Sequence, residues 1–439
     1  MTVRRPQQPP PWRELWLEAD SLWLLSAVDS AERYLPWDEI RHRTPPAGLT
    51  HEQWWLGLKM ARLGMRRDLP LVDAGGLSFT YALPDDVLRG VEALNRDLSG
   101  RIGMPEPVTD PLTRDRYLVS SLIEEAITSS QLEGAATTYL VAKEMLRSGR
   151  SPQTVDEVMI RNNYVAMRRI GEMRDEALTP ALICEIQRIV TEGTLRNPTA
   201  AGRFQLPGEE RVVVADTYGD VLHTPPPAEQ LPERIQRLCD FANGTSPTAY
   251  VPPVIRALTV HFMLAYDHPF EDGNGRTARA LFYWSMLNQD YWLTEFISIS
   301  RILKNAPARY GRSFLHVEQD ENDLTYFVLY QLDVLRRAVD DLHAYLGRKA
   351  AQTREVRASL ARSRTGDFNA RQIALLTHAT HHPLAEYTVA GHARSHKIVL
   401  QTARTDLREL EQRGLLTKVR RGRADAWTPA GDLTTRLRD

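Results

Sequence analysis

Cysteine is nearly absent from this sequence, whose 439 residues include only Cys184 and Cys239. Both lie in helix-like apolar patterns, so a disulfide framework and a zinc cage are not expected. Long apolar runs are also absent, and none approaches the roughly 18 residues of a membrane span. The basic residues at the N-terminus have no apolar stretch behind them, unlike those of a secretory signal. These absences predict a cytoplasmic protein with no membrane partner.

Two common nucleotide-binding signatures are missing as well. The sequence contains no GxxxxGK[ST] segment, which excludes a P-loop. Its GxG sequence at Gly273 and Gly275 follows a helical pattern rather than a strand, so it does not fit a dinucleotide-binding turn. A nucleotide site in this chain would therefore need a different architecture.

The sequence has almost no excess charge, with a formal net charge of -1, but its charged residues are unevenly distributed. Residues 361–439 carry a net charge of +6, and the preceding 360 residues carry -7. A basic C-terminal region on an acidic body indicates a polyanion, DNA among them, as a possible partner of that region.

The chain is long enough for two or three domains of roughly 150 residues. Hydrophobic residues make up 42% of it, which excludes disorder of the whole chain. The patterns predict a mainly α fold, with a Trp-rich helical region at 1–115 and a strongly helical region at 116–346 that includes a short β-hairpin before His223. A polar linker or solvated helix is predicted at 347–367. The helix, helix, β-wing outline of 368–439 predicts a winged helix.

The most informative stretch is HPFEDGNGRTAR, which runs from His268 to Arg279. Its two glycines leave backbone N–H groups free to face an anion, and a helix predicted from about Arg276 directs its positive end to the same place. Three side chains add donors to this cradle: Asn274, Arg276 and Arg279. The segment therefore predicts a pocket for a di- or triphosphate.

Two further side chains in this loop predict chemistry on the phosphates. Asp272 would be repelled by them unless a cation lay between, and a carboxylate beside phosphates is the usual seat of Mg2+. His268 is a candidate general base, because neutral imidazole accepts a hydroxyl proton near pH 7. Together they imply phosphoryl or nucleotidyl transfer. A purely structural loop is the alternative, but it does not account for so many of these groups within twelve residues.

This loop resembles the HxFx(D/E)GNGRxxR motif of the Fic family, and it fills every fixed position of that motif: His268, Phe270, Asp272, Gly273, Asn274, Gly275, Arg276 and Arg279. The resemblance covers about 116–346 and implies a helical core that transfers AMP from ATP to a protein hydroxyl. It implies that His268 is the base, that Asp272 holds Mg2+, and that Asn274, the two glycines and Arg276 cradle the α- and β-phosphates. Arg279 would reach the γ-phosphate.

The same resemblance implies three further features. The segment of about 209–214, with Arg211, Val212, Val213 and Val214, is similar to the flap that holds the target segment by strand addition. Tyr310 resembles one of two tyrosines near the adenine, although Gly311 departs from that pair. The Ser129, Glu133 and Gly134 pattern, at the end of a helix over about 118–134, resembles the family's inhibitory motif. Glu133 would pair with Arg279 and keep it from the γ-phosphate; a C-cap glycine after a surface glutamate is the alternative.

The basic C-terminal region divides by pattern into core and surface. Leu400, Leu407, Leu410 and Leu415 are predicted core residues. Ser395, Thr402 and Arg404 are candidates for the exposed face of a recognition helix, and Lys418, Arg420, Arg421 and Arg423 for the wing. Such cations would contact DNA phosphates. A domain that contacts protein is the alternative.

The leading hypothesis is an autoinhibited protein adenylyltransferase whose target, either another protein or the chain itself, carries an acceptor hydroxyl. One alternative is a DNA-binding regulator in which the Fic module responds to nucleotide. Another is the reverse enzyme, in which Glu133 orients a water molecule that removes AMP. The resemblance also allows a homo-oligomer.

Overall fold

Helices dominate the part of the chain that the computed structural model describes, which comprises residues 3–18, 33–46, 48–99, 111–246, 249–362, 368–382, 385–421 and 424–437. These residues form two compact units. The larger lies within Met1–Ile102 and Tyr117–Leu342, and the smaller within Gly103–Arg116 and His343–Asp439. Among the described residues no helix is both long and apolar enough to cross a membrane.

The helices up to residue 362 are α1 (Trp12–Glu18), α2 (Trp37–Ile40), α3 (His51–Leu63), α4 (Asp85–Ser99), α5 (Pro111–Leu132), α6 (Tyr139–Ser148), α7 (Val155–Glu172), α8 (Pro180–Thr191), α9 (Leu231–Ala242), α10 (Pro253–Asp267), α11 (Asn274–Asn288), α12 (Ile299–Asn305), α13 (Pro307–Gln319) and α14 (Thr325–Arg362). Two antiparallel hairpins interrupt them: β1 (Arg66–Val72) with β2 (Ser78–Ala82), and β3 (Val214–Ala215) with β4 (Val221–His223). Helix α14 continues through most of the segment predicted as a linker or solvated helix.

The tryptophans of the N-terminal region form a packed layer, as predicted. Trp37, Trp54 and Trp55 are buried together with neighbouring aliphatic side chains, whereas Trp16 is 43% exposed. Trp23 lies outside the described residues. The region predicted as helical also contains strands, because β1 and β2 form a hairpin there. The Asp73 carboxylate closes its turn by accepting hydrogen bonds from two backbone amides, a side-chain turn signal that the helical interpretation passed over.

The core of the larger unit is built on α10 and α11, which pack against each other, while α11 also packs against α7 and α8. Helix α10 is apolar on nearly all sides, and α11 is buried along almost its whole length. A helix that is apolar all round is stable only in an interior. Both ends of the loop between α10 and α11 are therefore held by packing, and this loop contains the predicted phosphate motif.

The smaller unit contains α15 (Ala370–His381), β5 (Tyr387–Thr388), α16 (Val389–His396), α17 (Leu400–Gln412), β6 (Leu416–Arg421), β7 (Ala424–Pro429) and α18 (Leu433–Arg436). Its antiparallel sheet has the order β5, β7, β6. Leu407, Leu410 and Leu415 are buried in its core, as predicted. The designation as a winged helix stays a prediction.

Two details of that prediction were wrong. The helix expected from His396 onward begins only at Leu400, and a separate α16 precedes it, because Lys397 takes a left-handed conformation with φ 52°. Leu400, expected in the core, is 58% exposed because it lies at the first turn of α17. Arg404 and Ser395 are exposed, and Thr402 is partly buried. Lys418 and Arg420 are exposed on β6, whereas Arg423 and the Arg421 side chain lie outside the description.

Candidate active site

His268 is the C-cap residue of α10 and adopts a left-handed conformation, with φ 44°. Few residues other than glycine take up such a conformation, and non-glycine examples cluster at functional sites. This turn ends α10 abruptly and directs the chain back across the start of α11. The imidazole is consequently placed beside the glycine loop rather than on the helix surface.

The protonation state of His268 suits a proton acceptor. Its Nδ1 lies 3.3 Å from the carbonyl oxygen of Ala265, and because a carbonyl only accepts, Nδ1 carries the proton and Nε2 is free to accept one. Burial lowers the pKa of His268 to about 4, although the bond to Ala265 and the charge of Glu133 oppose this shift. The imidazole is therefore neutral throughout the physiological range.

Asn274 holds the loop closed. Its side-chain oxygen accepts from the Phe270 backbone N–H at 2.9 Å, and its side-chain nitrogen donates to the Phe270 carbonyl at 2.8 Å. Phe270 is fully buried and packs against Phe204, with 5.2 Å between ring centroids. One of the two N–H donors of the side-chain amide is thus engaged with the backbone, and donation by Asn274 to phosphate stays a prediction. The sequence pattern did not disclose this because the partner is backbone, not a side chain.

The two glycines leave no room for side chains. Gly273 has φ 87°, and a Cβ there would lie 2.8 Å from the Thr191 methyl group on α8. At Gly275 a Cβ would overlap the Glu133 carboxylate. Helix α11 begins at Asn274, two residues earlier than predicted, so its N-terminal amides and positive dipole end lie directly at these glycines. The Glu133 carboxylate therefore occupies the space beside Gly275, at the positive end of α11.

Arg276 and Asp272 add a paired cation and carboxylate to the cradle. The Arg276 guanidinium is 1% exposed, donates to the Val190 carbonyl at 2.7 Å and contacts the Asp272 carboxylate at 3.3 Å. Its Nε is buried and has no hydrogen-bond partner among the described residues, as expected of a donor that serves a ligand. Asp272 itself is 54% exposed. Within the described ranges no three acidic, His or Cys side chains cluster as metal ligands. A single carboxylate fits Mg2+, which takes its other ligands from phosphate and water.

All three guanidinium nitrogens of Arg279 are bonded to the last turn of α5 or to Glu133 just beyond it. Its Nη1 pairs with Glu133 at 2.8 Å, its Nε donates to the Ser129 hydroxyl at 2.9 Å, and its Nη2 donates to the Ser129 carbonyl at 3.1 Å. Burial opposes ionisation of Glu133, but Arg279 and Arg276 outweigh it and lower the pKa of that carboxyl. Gly134 ends the helix with φ 102°, so the C-cap and the ion pair occur together.

Tyr310 lies on α13 beside these groups. Its hydroxyl is 2.8 Å from Nε2 of His261, and burial raises the pKa of the phenol. Burial also lowers the pKa of His261 to about 3. At Gly311, a Cβ would lie 3.0 Å from Val3, so the N-terminal segment occupies the space beside this glycine. Whether adenine contacts Tyr310 stays a prediction.

The residues of the predicted flap point in different directions. Val213 is 41% exposed, while Val212 and Val214 are partly buried. Arg211 was expected on the docking edge, but its guanidinium turns inward and donates to the carbonyls of Asp267 and His268. Because these acceptors lie 56 and 57 residues away, the local pattern could not indicate them.

Sequence reasoning missed several residues that hold the site together. Glu125 is 1% exposed and accepts from the Tyr283 hydroxyl and the Ser300 backbone, which fastens α5 to α11 and α12. Gln187 donates to the Asp272 carbonyl at 3.0 Å. Arg234 pairs with the buried Asp267 at 2.7 Å, next to His268. The sequence signal that could have revealed such residues is a charged side chain within an otherwise apolar helical stripe.

Comparison with known proteins agrees with this geometry. Residues 177–286 match the sequence model of the Fic/DOC family. The matched residues are similar to that family, and they include the whole loop from His268 to Arg279.

Two curated relatives are similar to this chain. It is 30% identical over 171 residues to a protein of Nematostella vectensis named protein adenylyltransferase Fic, a match that covers 38% of this chain and 37% of the relative. It is 38% identical over 183 residues to protein adenylyltransferase fic-1 of Caenorhabditis elegans, covering 41% and 34%. The chain thus spans little more than a third of the length of these relatives.

A solved structure extends the likeness in fold. The crystal structure of a Fic family protein from Desulfovibrio desulfuricans G20 covers 80% of this chain and 98% of its own, with 17% identity and a TM-score of 0.50. The prediction of a mainly helical, Fic-type fold is confirmed. The domain boundaries and the individual roles of the site residues stay predictions.

Proposed function

We propose that this chain is a protein adenylyltransferase that transfers AMP from ATP to a hydroxyl group of a protein, and that its resting state is inhibited by Glu133. One observation carries the proposal: a neutral imidazole, His268, lies beside a glycine and arginine cradle in which an internal carboxylate occupies the position of an anion. The names of the two relatives support the choice of AMP as the transferred group.

The chemistry follows from the groups present. The acceptor hydroxyl oxygen forms a bond to the α-phosphorus of ATP, the bond from that phosphorus to the bridging oxygen breaks, and pyrophosphate leaves with the electron pair. Nε2 of His268 takes the hydroxyl proton. The N–H groups at Gly273 and Gly275 and the guanidinium of Arg276 bind phosphate oxygens. Asp272 would hold Mg2+, which neutralises phosphate charge when bound.

Glu133 inhibits this reaction by occupying Arg279. The ion pair measures 2.8 Å and the arginine is 1% exposed, so the same guanidinium cannot also bind the end of the triphosphate. The carboxylate would also repel a phosphate placed over Gly275. ATP would then bind with its phosphates in an unproductive position.

Labelled ATP tests the proposal. We expect the Glu133→Gly protein, incubated with ATP labelled at the α-phosphate and Mg2+, to label itself or a lysate protein at least about ten-fold faster than wild type, since tenfold corresponds to about 1.4 kcal/mol of barrier. Glu133→Gln keeps the size of the side chain and removes its charge, and we expect an intermediate rate. His268→Ala in the Glu133→Gly background should abolish labelling.

ATP labelled at the γ-phosphate is the matched control. AMP transfer leaves the γ-label in pyrophosphate, whereas phosphorylation would place it on protein. No α-label on any protein with the Glu133→Gly variant, under Mg2+ or Mn2+, would contradict the proposed function.

We also propose that the smaller unit binds DNA through α17. The acidic side chains of this helix are engaged with neighbours: Asp406 is 2% exposed and pairs with Arg371, and Glu411 accepts from Trp427 at 2.7 Å. The third acid, Glu409, is exposed but accepts from the Gln372 side chain at 2.7 Å, and Arg404 and Arg408 are exposed on the same helix. A helix whose acidic side chains are bonded to protein donors and whose arginines face water is suited to DNA phosphates.

Binding of the full chain to fluorescent duplex DNA, measured at several salt concentrations, tests this. Replacing Arg404 and Arg408 together with Ala should weaken binding roughly ten-fold and reduce the salt slope by about two, one per lost phosphate contact. Arg436→Ala is the control, because Arg436 is already paired with Asp432 at 2.7 Å. Equal effects of the double variant and the control, or no DNA binding by wild type, would contradict this proposal and leave the AMP-transfer proposal intact.

A further inference from the structure

The turn at the end of α10 is held from outside by residues 203–214, which include the predicted flap and are called the flap segment here. Three consecutive carbonyls accept hydrogen bonds from it: that of Asp267 from Arg211 Nη2 at 2.6 Å, that of His268 from the same nitrogen at 3.2 Å, and that of Pro269 from the Gln205 backbone N–H at 2.8 Å. Both donor residues precede β3. The backbone of residues 267–269 is thus bonded to the flap segment at each of its three carbonyls.

These carbonyls need partners for a general reason. The last carbonyls of a helix have no donor within the helix, and a cation near them is favoured by the helix dipole. His268 adds to this need, because its left-handed φ of 44° persists only where the surroundings fix the backbone. A guanidinium is well suited to the task, because one of its nitrogens can bond to these carbonyls while the other two bond to different acceptors, whereas an ammonium is a single point of charge.

Arg211 is itself fixed on both sides of the β3–β4 hairpin. Its Nε donates to the Pro226 carbonyl, beyond β4, at 2.9 Å, and its Nη1 donates to the side-chain oxygen of Gln205. The side-chain nitrogen of Gln205 donates in turn to the Glu210 carbonyl at 2.9 Å. The guanidinium therefore lies between the two arms of the hairpin and the catalytic turn, and a displacement of either would break its bonds to the other.

We infer that Arg211 is a positioning residue, which couples the placement of the flap to the orientation of the His268 imidazole through the backbone of residues 267–269. The inference rests on the proposed AMP transfer for its consequence on rate. The flap in this account does more than offer an edge to a target: its position determines whether the base is aligned. Arg211 touches neither nucleotide nor acceptor and acts only through His268.

The charge of Arg211 also contributes to the state of the base. Burial is the main reason that the pKa of His268 falls to about 4. Of the charged and titratable groups that face the imidazole, His223 and Arg211 disfavour its protonation and Glu133 favours it. Since a nearby cation lowers the pKa of an imidazole, loss of Arg211 should raise the pKa of His268.

Kinetics in the Glu133→Gly background test the inference. Arg211→Lys keeps the charge and removes the fork, and we expect the labelling rate at saturating ATP to fall at least about ten-fold, as misaligned catalytic groups do. The ATP concentration at half-maximal rate should change less than about two-fold, because Arg211 does not line the phosphate cradle. The labelling rate at saturating ATP should fall further in Arg211→Met, which lacks both the charge and the fork.

Arg203→Met is the matched control. Arg203 lies in the same flap segment and is bidentate to Glu209, at 2.9 and 2.8 Å, but it donates to neither Asp267 nor His268. Its loss should leave the saturating rate within about two-fold, as expected of a partly exposed ion pair remote from the reaction. Equal losses in Arg203→Met and Arg211→Lys would assign the effect to flap stability and overturn the inference.

A second measurement does not depend on activity. Nitrogen NMR of histidine-labelled full-length protein, with His268 assigned by His268→Gln, reports the tautomer and titration of this imidazole. We expect Nδ1–H in the parent, a mixture of tautomers in Arg211→Lys, and titration at higher pH in Arg211→Met. A parent that transfers no AMP would contradict the proposed function only. An imidazole spectrum in Arg211→Lys and Arg211→Met identical to that of the parent would overturn the inference whatever the activity.

Discussion

A single buried arginine illustrates how this site balances charge. Arg279 is 1% exposed and must have an anion beside it, because an unpaired buried charge is strongly destabilising. In the structure that anion is Glu133, and in the proposed reaction it is the triphosphate. Under the proposed function two anions would compete for one cation, and the contacts that favour Glu133 would set the resting activity.

Ser129 makes one of those contacts, and removal of its hydroxyl should partly relieve the proposed inhibition by Glu133. The Ser129 hydroxyl accepts from Arg279 Nε at 2.9 Å. Ser129→Ala should raise AMP transfer about five-fold, corresponding to roughly 1 kcal/mol for the lost bond, and less than Glu133→Gly does. The measurement is the rate of α-phosphate labelling at fixed ATP.

Ser130→Ala provides the comparison for Ser129→Ala. Ser130 is equally buried on the same helix, but its hydroxyl bonds to the Met159 carbonyl and not to Arg279. Its labelling rate should stay at the wild-type level. If both variants were activated equally, loosening of α5 rather than loss of the Arg279 bond would be responsible.

At the scale of elements, the active loop depends on how closely α8 and the start of α11 approach each other. Gly273 lies at this approach, with φ 87° and with Thr191 of α8 where a Cβ would be. The chain therefore needs glycine here for two separate reasons, a backbone conformation and a steric contact. Substitution can separate the two.

Gly273→Ala should lower the melting midpoint of the protein, because left-handed strain and overlap with the Thr191 methyl together cost about 1–3 kcal/mol. Adding Thr191→Ser removes that methyl and keeps the hydroxyl bond to the Gln187 carbonyl. The double variant should recover the stability lost to overlap with the Thr191 methyl group. It should keep the loss caused by the left-handed φ at residue 273. Differential scanning calorimetry measures both, and no recovery in the double variant would mean that strain alone matters.

At the scale of the whole larger unit, buried charges join the N-terminal region to the segment between α13 and α14. Lys59 on α3 pairs with Asp320, just beyond α13, at 2.6 Å, with side chains that are 2% and 6% exposed. Asp320 also accepts from the Tyr326 hydroxyl at 2.7 Å. Removal of the lysine would leave a buried carboxylate without its cation.

Lys59→Met should therefore destabilise the larger unit by about 3–5 kcal/mol. Urea unfolding of the full chain, followed by tryptophan fluorescence, measures this, since Trp55 lies beside Lys59. Arg89→Met is the control, because Arg89 and Asp85 form an exposed pair and its loss should cost about 1 kcal/mol or less. A loss no larger in Lys59→Met than in the control would mean that the buried pair contributes no net stability.

The same distinction of scale explains how much could be predicted from the sequence. Local patterns predicted the helices that flank the loop and the hairpin before His223, because periodicity and turn residues are properties of neighbouring positions. They failed at β1 and β2 and at the separate α16. There, pairing between strands and a left-handed residue, Lys397, outweigh local preference.

What the sequence determined by itself is the set of chemical groups in the loop from His268 to Arg279 and their order along the chain. Tertiary structure alone decided which neighbours those groups have. Arg279 bonds to Ser129 across 150 residues, and Arg211 reaches His268 across 57. The physical reason is that a long side chain points wherever packing leaves it an acceptor, and packing is settled by contacts between segments distant in sequence.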